Sequence, residues 1–80
     1  MSVFAYFFRG FHKNILSDFP GAIEDFSKVI EFDLDDLQIK SEAYHNRGLA
    51  KSKLGEFQSA IEDFDKAIEL NPKNESTKDF

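Results

Sequence analysis

The pentapeptide AIEDF occurs twice in this 80-residue chain, at residues 22–26 and at residues 60–64. At the offset of 38 residues that superposes the two copies, residues 3–36 align with residues 41–74, and fifteen of the 34 pairs are identical. In the first copy the identical residues are Ala5, Tyr6, Arg9, Gly10, Lys13, Leu16, Phe19, Ala22, Ile23, Glu24, Asp25, Phe26, Lys28, Ile30 and Glu31. This match predicts that one unit of about 34 residues is used twice.

Each unit has the pattern of two helices joined by a short turn. In the second unit the repeated residues between 44 and 54 are spaced three or four apart, and a second apolar face follows over residues 57–68. Gly55 suits the left-handed conformation that ends many helices, whereas Pro72 cannot continue a helix. We therefore expect two helices per unit.

Local signals also predict where the helices begin. In the first unit, Ser17 or Asp18 is expected to cap the second helix, and Pro20 is tolerated in a first helical turn. Four extra residues, 37–40, separate the units and add about one turn, which we expect to extend the third helix backward. An acidic residue is expected to cap that extension: Asp33, Asp35 or Asp36.

A glycine lies midway along the first helix of each unit, at Gly10 and Gly48. Glycine inside a helix costs about 1 kcal/mol relative to alanine, so it usually has a packing reason. We expect each glycine to admit the alanine of the AIEDF copy in its own unit. The phenylalanine of each copy is then expected to fill the space toward the next helix pair.

The second unit resembles the tetratricopeptide repeat, a helix–turn–helix of about 34 residues. The residues that carry the resemblance are Tyr44, Gly48, Leu54, Gly55, Phe57, Ala60, Phe64, Ala67 and Pro72. The first unit matches at Tyr6, Gly10, Leu16, Phe19, Ala22 and Phe26. The second unit holds Arg47 and Lys51 where the family usually has Leu and Tyr. The first unit departs from the family's turn Gly, small residue and closing Pro with Ser17, Val29 and Leu34.

The resemblance implies an all-α fold of tandem helix–turn–helix repeats, an α–α superhelix with four main helices. We expect one domain over residues 1–80. Its predicted parts are repeat one at 3–36, an extra turn at 37–40, repeat two at 41–74 and a partial polar tail at 75–80.

Resemblance to the family also implies a non-enzymatic protein-interaction module whose stacked first helices line a concave groove for a peptide or helix. The predicted groove residues are Phe4, Phe7, Phe8, Phe11 and Ile15 in repeat one and His45, Asn46, Leu49 and Lys53 in repeat two, with Glu42 and Ser52 beside them. One half of this groove is therefore apolar and the other half is polar.

One subset of the family clamps a terminal carboxylate with Lys and Asn in its first repeat and Asn in the next. Asn46 stands where that second-repeat Asn belongs, but Phe7 and Phe11 occupy the places of the Lys and Asn. These side chains favour instead a ligand with apolar or aromatic anchors.

The same aromatic stripe has a structural interpretation. Arrays of this kind usually need about three repeats with polar ends, and this sequence shows two repeats and an apolar first helix. We expect self-association to cover the apolar surfaces, with the Phe-rich first helix as the homotypic interface. A partner or further sequence are alternatives, and domain swapping with residues 34–40 as hinge is a variant.

Composition disfavours other classes of function. The net charge of -5 opposes binding to a phosphate backbone, and the absence of cysteine removes thiolate chemistry. His12 and His45 are 33 residues apart without the spacing of a metal site. The Glu-Asp pairs within AIEDF are expected on the solvated side of their helices. We therefore predict no catalysis, no cofactor, no nucleic acid, no membrane insertion and a cytoplasmic location.

Overall fold

The computed structural model describes residues 1–32 and 35–72. Within those residues the chain forms four helices and no strand: α1 (Val3–Ile15), α2 (Phe19–Glu31), α3 (Leu37–Lys53) and α4 (Phe57–Leu70). The predicted all-α fold with four main helices is confirmed. The candidate cap Asp33, the hinge and closing residue Leu34 and the predicted tail 75–80 lie outside the described residues.

Side chains cap the first three helices at their N-termini. Ser2 accepts a hydrogen bond from the backbone N–H of Ala5. Asp18 Oδ1 accepts a hydrogen bond from the backbone N–H of Gly21 at 3.1 Å. Asp36 Oδ1 accepts from the backbone N–H groups of Gln38 and Ile39 at 3.1 and 3.2 Å. Each cap satisfies donors that have no partner within the helix. Residues 37–40 form the first turn of α3, so the inserted residues lengthen that helix.

The turns that follow α1 and α3 use the same backbone conformation with different residues. Gly55 has a φ of +85°, and its counterpart Ser17 has a φ of +66°. Glycine adopts this left-handed region without steric cost, whereas a residue with a Cβ is strained there. The first unit therefore keeps the turn geometry of the second although it lacks the glycine.

The helices pack in chain order, α1 on α2, α2 on α3 and α3 on α4, and α1 also touches α3. The core between them consists of small residues around one large ring. Its buried members are Val3, Ala22, Phe26, Val29, Ala43 and Ala50. Close approach of α2 and α3 depends on the alanines, because larger side chains would hold the two backbones apart.

The two helical glycines make room mainly for phenylalanine. A Cβ placed on Gly48 would lie 2.9 Å from the ring of Phe64 and 3.2 Å from the carbonyl oxygen of Ala60. A Cβ on Gly10 would lie 3.1 Å from the ring of Phe26. Each ring therefore packs over the glycine of its own unit, and Phe26 also belongs to the core that includes Ala43 and Ala50 of the next helix pair.

None of the helices in the described part of the chain has both the length and the apolar content that crossing a membrane requires.

Candidate partner-binding groove

A buried carboxylate joins the two helices of the first unit. Asp25 of α2 is only 1% exposed, and its two oxygens accept hydrogen bonds from Arg9 Nε and Nη2 of α1, both at 2.8 Å. Lys13 Nζ lies 3.3 Å from the same carboxylate. The prediction that this acidic residue faces solvent is wrong, because two cations one helical turn apart supply the partners that a buried charge needs.

The second unit repeats this cluster. Asp63 is 4% exposed, accepts two hydrogen bonds from Arg47 at 2.8 Å and lies 3.0 Å from Lys51 Nζ. Arg47 also donates from Nη1 to Ser27 Oγ of the first unit at 3.0 Å. The second cluster therefore connects the two units as well as the two helices of its own unit.

These contacts shift the ionisation of the groups involved. Hydrogen bonding from Arg9, with a further contribution from Lys13, lowers the pKa of Asp25 despite its burial. The bond to Asp25 raises the pKa of Arg9, and the bond to Asp63 raises the pKa of Arg47. The clusters are thus satisfied ion pairs that hold helices together.

A separate, open and largely apolar pocket lies between α1 and α3. Its lining residues are Phe11, Asn14, Ile15, Phe19, Asn46, Leu49 and Lys53. The volume is about 280 Å³. Pockets that enclose a drug-sized ligand measure roughly 300–1,000 Å³. An open pocket at the lower limit of that range suits one or two side chains of a larger partner.

This pocket brings together five of the nine predicted groove residues: Phe11, Ile15, Asn46, Leu49 and Lys53. Sequence reasoning missed two further lining residues, Asn14 and Phe19. Asn14 is the repeat counterpart of Ser52, which the pattern places beside the groove, and it lies three residues after Phe11. Helical spacing alone was therefore sufficient to find it.

Two of the predicted groove residues pack inward. Phe7 is half-buried and meets the ring of Phe26 edge-on, with centroids 5.8 Å apart. His45, at the same repeat position, packs on Phe64 with ring centroids 5.4 Å apart. Burial lowers the pKa of His45, because the interior disfavours the charged imidazolium.

The remaining two predicted residues, Phe4 and Phe8, are exposed on α1. They precede Phe11 and Ile15 at helical spacing, so the four residues form one apolar stripe along α1, here called the Phe stripe. Its C-terminal half lines the pocket, and its N-terminal half continues beyond the pocket.

One polar atom on the pocket wall has an unused hydrogen-bonding capacity. Asn14 donates from Nδ2 to the backbone carbonyl of Asn46 at 3.3 Å, which ties α1 to α3. Its Oδ1 is buried and accepts no hydrogen bond within residues 1–32 and 35–72. A buried acceptor without a donor costs free energy, and a ligand in the open pocket would not reach this oxygen because it has almost no accessible surface.

Across the described ranges, no three His, Cys, Asp or Glu side chains are grouped so that they could hold a metal ion.

Residues 41–74 match the family model described as the tetratricopeptide repeat, which confirms the resemblance for the second repeat. The match covers less than half of the chain, and the first unit is related to it through the internal repeat. Repeats of this family generally mediate protein–protein interaction and are typically not enzymes. The searches of curated proteins and of solved structures gave no match.

Proposed function

We propose that this chain, whose residues 41–74 form a tetratricopeptide repeat, is a non-enzymatic module that binds a peptide or helix of another protein in the pocket between α1 and α3. The observation that carries the proposal is the open apolar pocket formed by Phe11, Ile15 and Leu49 at the junction of the two units. Exposed apolar side chains gathered in a concave surface are typical of a binding site.

The lining defines the chemistry of the bound segment. One large apolar or aromatic side chain would fill the space beside Leu49 and Phe11. An acidic group on the flank would meet Lys53, whose side chain is exposed at the rim. The preferred ligand therefore combines an apolar anchor with a nearby acidic residue.

The test uses peptides selected from a random display library on the immobilised chain. We expect enrichment of sequences with an apolar anchor. Their affinity should fall roughly 10- to 100-fold for Leu49→Glu, because a carboxylate would be desolvated against the anchor. Leu37→Glu at the start of α3 is the matched control, since it makes the same substitution at an exposed leucine outside the pocket.

Circular dichroism of both variants would establish that the helices remain folded, which we expect because Leu49 and Leu37 are both exposed. Selected peptides that bind Leu49→Glu as tightly as the unmodified chain would contradict the proposed site. Failure to enrich any peptide would contradict the proposed function.

A second candidate is a self-associating structural scaffold in which the Phe stripe is the homotypic interface. The exposure of Phe4 and Phe8, two large rings on adjacent turns of one helix, favours it. It predicts that Phe8→Glu abolishes self-association in sedimentation experiments. Association that survives Phe8→Glu would exclude this interface.

Both candidates give the chain no catalytic, cofactor-binding or nucleic-acid-binding role and place it in the cytoplasm. The acidic net charge of -5 supports the part of this proposal that concerns nucleic acid, because phosphate recognition relies on clustered Lys and Arg.

A further inference from the structure

The outer face of α4 presents apolar side chains at helical spacing. Phe57 is 62% exposed and Ile61 is 51% exposed, and Ile68 is exposed as well. Phe64 lies between them and is half-buried over Gly48. These four residues are here called the α4 face. The pocket between α1 and α3 does not include them.

The internal repeat shows what covers such a face. The counterparts of the α4 face on α2 are Phe19, Ile23, Phe26 and Ile30, identical at all four positions. There, Phe26 is fully buried and the other three pack against the core that α2 and α3 share. Every residue of the α4 face is more exposed than its counterpart on α2. The covering element for this kind of face is therefore the first helix of a following repeat.

The first helix α1 carries the matching surface. On α3, Ala43 and Ala50 are fully buried in the core that includes Phe26 of α2. Their counterparts on α1 are Ala5, which is half-buried, and His12, which is exposed. The face of α1 that corresponds to the α2-contacting face of α3 is therefore more exposed than that face of α3.

We infer that a second copy of this chain covers the α4 face, with its α1 packed on α4 as α3 packs on α2 within one chain. This contact is separate from the pocket between α1 and α3 of one chain. Phe8 of the Phe stripe borders it, because its repeat counterpart Asn46 lies between Ala43 and Ala50 on α3. Repeat one of the second copy would then follow repeat two of the first, as repeat two follows repeat one within a chain.

Charge complementarity supports a second copy as the occupant. Within the chain, Arg47 binds Asp63 through Nε and Nη2 and directs Nη1 to Ser27 of the preceding helix. Arg9 binds Asp25 through the same two nitrogens. The counterpart of Ser27 on α4 is Asp65, so Arg9 Nη1 of one copy would meet a carboxylate of the other. Arg9 is also the more accessible arginine, with its side chain 47% exposed against 18% for Arg47.

The two surfaces of this contact are different, so the association is heterologous and does not close at two copies unless the rotation happens to close a ring. The chain should therefore form dimers, trimers and longer assemblies as its concentration rises. A contact of α4 with α4, or of one Phe stripe with another, would instead stop at the dimer.

The test uses two variants that each remove one surface. Ile61→Glu places a carboxylate on the α4 face, and His12→Glu places one on the α1 surface where Ala50 is buried in the repeat. Both positions are exposed in the single chain, so both variants should fold. Each variant alone is expected to lose self-association roughly 10- to 100-fold, measured by sedimentation over about a hundredfold range of concentration.

Mixing the two variants tests whether α1 of one copy contacts α4 of another, or whether one surface contacts itself. His12→Glu keeps an intact α4 face and Ile61→Glu keeps an intact α1 surface, so an equimolar mixture should form a heterodimer and nothing larger. Leu37→Glu is the control, because it places a carboxylate at an exposed leucine that belongs to neither surface, and it should assemble as the unmodified chain does. A mixture that stays monomeric, or an unmodified chain that stays monomeric throughout, would overturn the inference.

A gain of association provides an independent measurement. Repeat two carries Ala50 where repeat one carries His12, and the alanine is fully buried. His12→Ala should therefore tighten self-association by removing a polar ring from the contact. Association that is unchanged or weakened in His12→Ala would also count against the proposed interface.

Discussion

At the scale of single residues, glycine at the contact between two helices allows them to pack closely, because a larger side chain would not fit there. Gly48 lies against the ring of Phe64 on one side and against the backbone of α4 on the other. The ring of Phe64 can shift slightly, but the carbonyl of Ala60 belongs to a helix and cannot. The glycine therefore sets the distance between α3 and α4.

We predict that Gly48→Ala destabilises the chain by up to about 2 kcal/mol, the difference between a packing cost and a gain in helix propensity. Alanine gains about 1 kcal/mol in helix propensity at this position. Forcing a methyl group into the contact costs about 1–3 kcal/mol, and this cost should outweigh the gain because one contact atom is backbone. Urea unfolding measures the difference, with the exposed substitution Gln58→Ala as control. A more stable Gly48→Ala variant would show that α3 and α4 separate without cost.

At the scale of elements, the repeated ion clusters explain why the second unit departs from its family pattern. Arg47 and Lys51 replace the usual Leu and Tyr, and the structure pairs both with Asp63. The first unit has the same three residue types at the same spacing. Arg and Lys at these two positions thus form a buried, hydrogen-bonded ion cluster with the aspartate of the partner helix.

The two clusters should not contribute equally to stability. Asp63→Ala would leave Arg47 and Lys51 without their carboxylate, and both side chains are less than one fifth exposed. We expect this variant to lose about 3 kcal/mol, as is typical when one partner of a buried ion pair is removed. Asp25→Ala should lower the free energy of unfolding by less. The side chains left without a carboxylate are then Arg9 and Lys13, which are more exposed than Arg47 and Lys51 and can be solvated by water.

Urea unfolding of both variants at neutral pH measures this order. The comparison is internally matched, since the two aspartates occupy the same repeat position and bind the same residue types. Equal losses for the two variants, or a larger loss for Asp25→Ala, would contradict the argument from exposure.

The elements themselves were predictable from the sequence, whereas the clusters were not. Periodicity, caps and the internal repeat located the four helices, because those signals are local. Asp25 sits beside Glu24 on a helix with many charges, and local pattern assigns such a residue to solvent. Its burial depends on Arg9, which lies 16 residues away on another helix. A usable signal was present, since Arg, Lys and Asp all recur at the offset of 38 residues.

The groove residues were also predictable only in part. Five of the predicted groove residues on α1 and α3 line one pocket, whereas Asn14 of α1 was missed. Helical spacing did not distinguish Phe7 and His45, which share that general side of the helix but pack on the phenylalanine of the following helix. Whether a side chain at the edge of a helical face turns inward depends on the neighbouring helix, and spacing along one helix does not contain that information.

At the scale of the whole molecule, the interior is small. Phe26 and Val29 are the largest apolar side chains that are fully buried, and alanine provides most of the rest. A chain of 80 residues buries a modest fraction of its surface, so its net stability is a narrow difference between large opposing free energies. Changes in the ionisation of one or two buried groups should therefore be visible in the unfolding of the entire chain.

Acidification should weaken the fold in two separate ranges of pH. His45 has a pKa below its usual 6.5, so the unfolded chain takes up the proton first, and the free energy of unfolding should begin to fall below about pH 6.5. Asp25 has a pKa below its usual 3.8, so its contribution to the free energy of unfolding is present above that value and is lost as the pH falls through its folded pKa.

Urea unfolding from pH 7.5 to pH 3, roughly the span of these two transitions, measures both losses. The Ile61→Glu background excludes self-association from this measurement. His45→Phe, which installs the residue of the first repeat, should remove the upper loss and leave the lower one. A His45→Phe variant with an unchanged pH profile would show that His45 is not the group responsible.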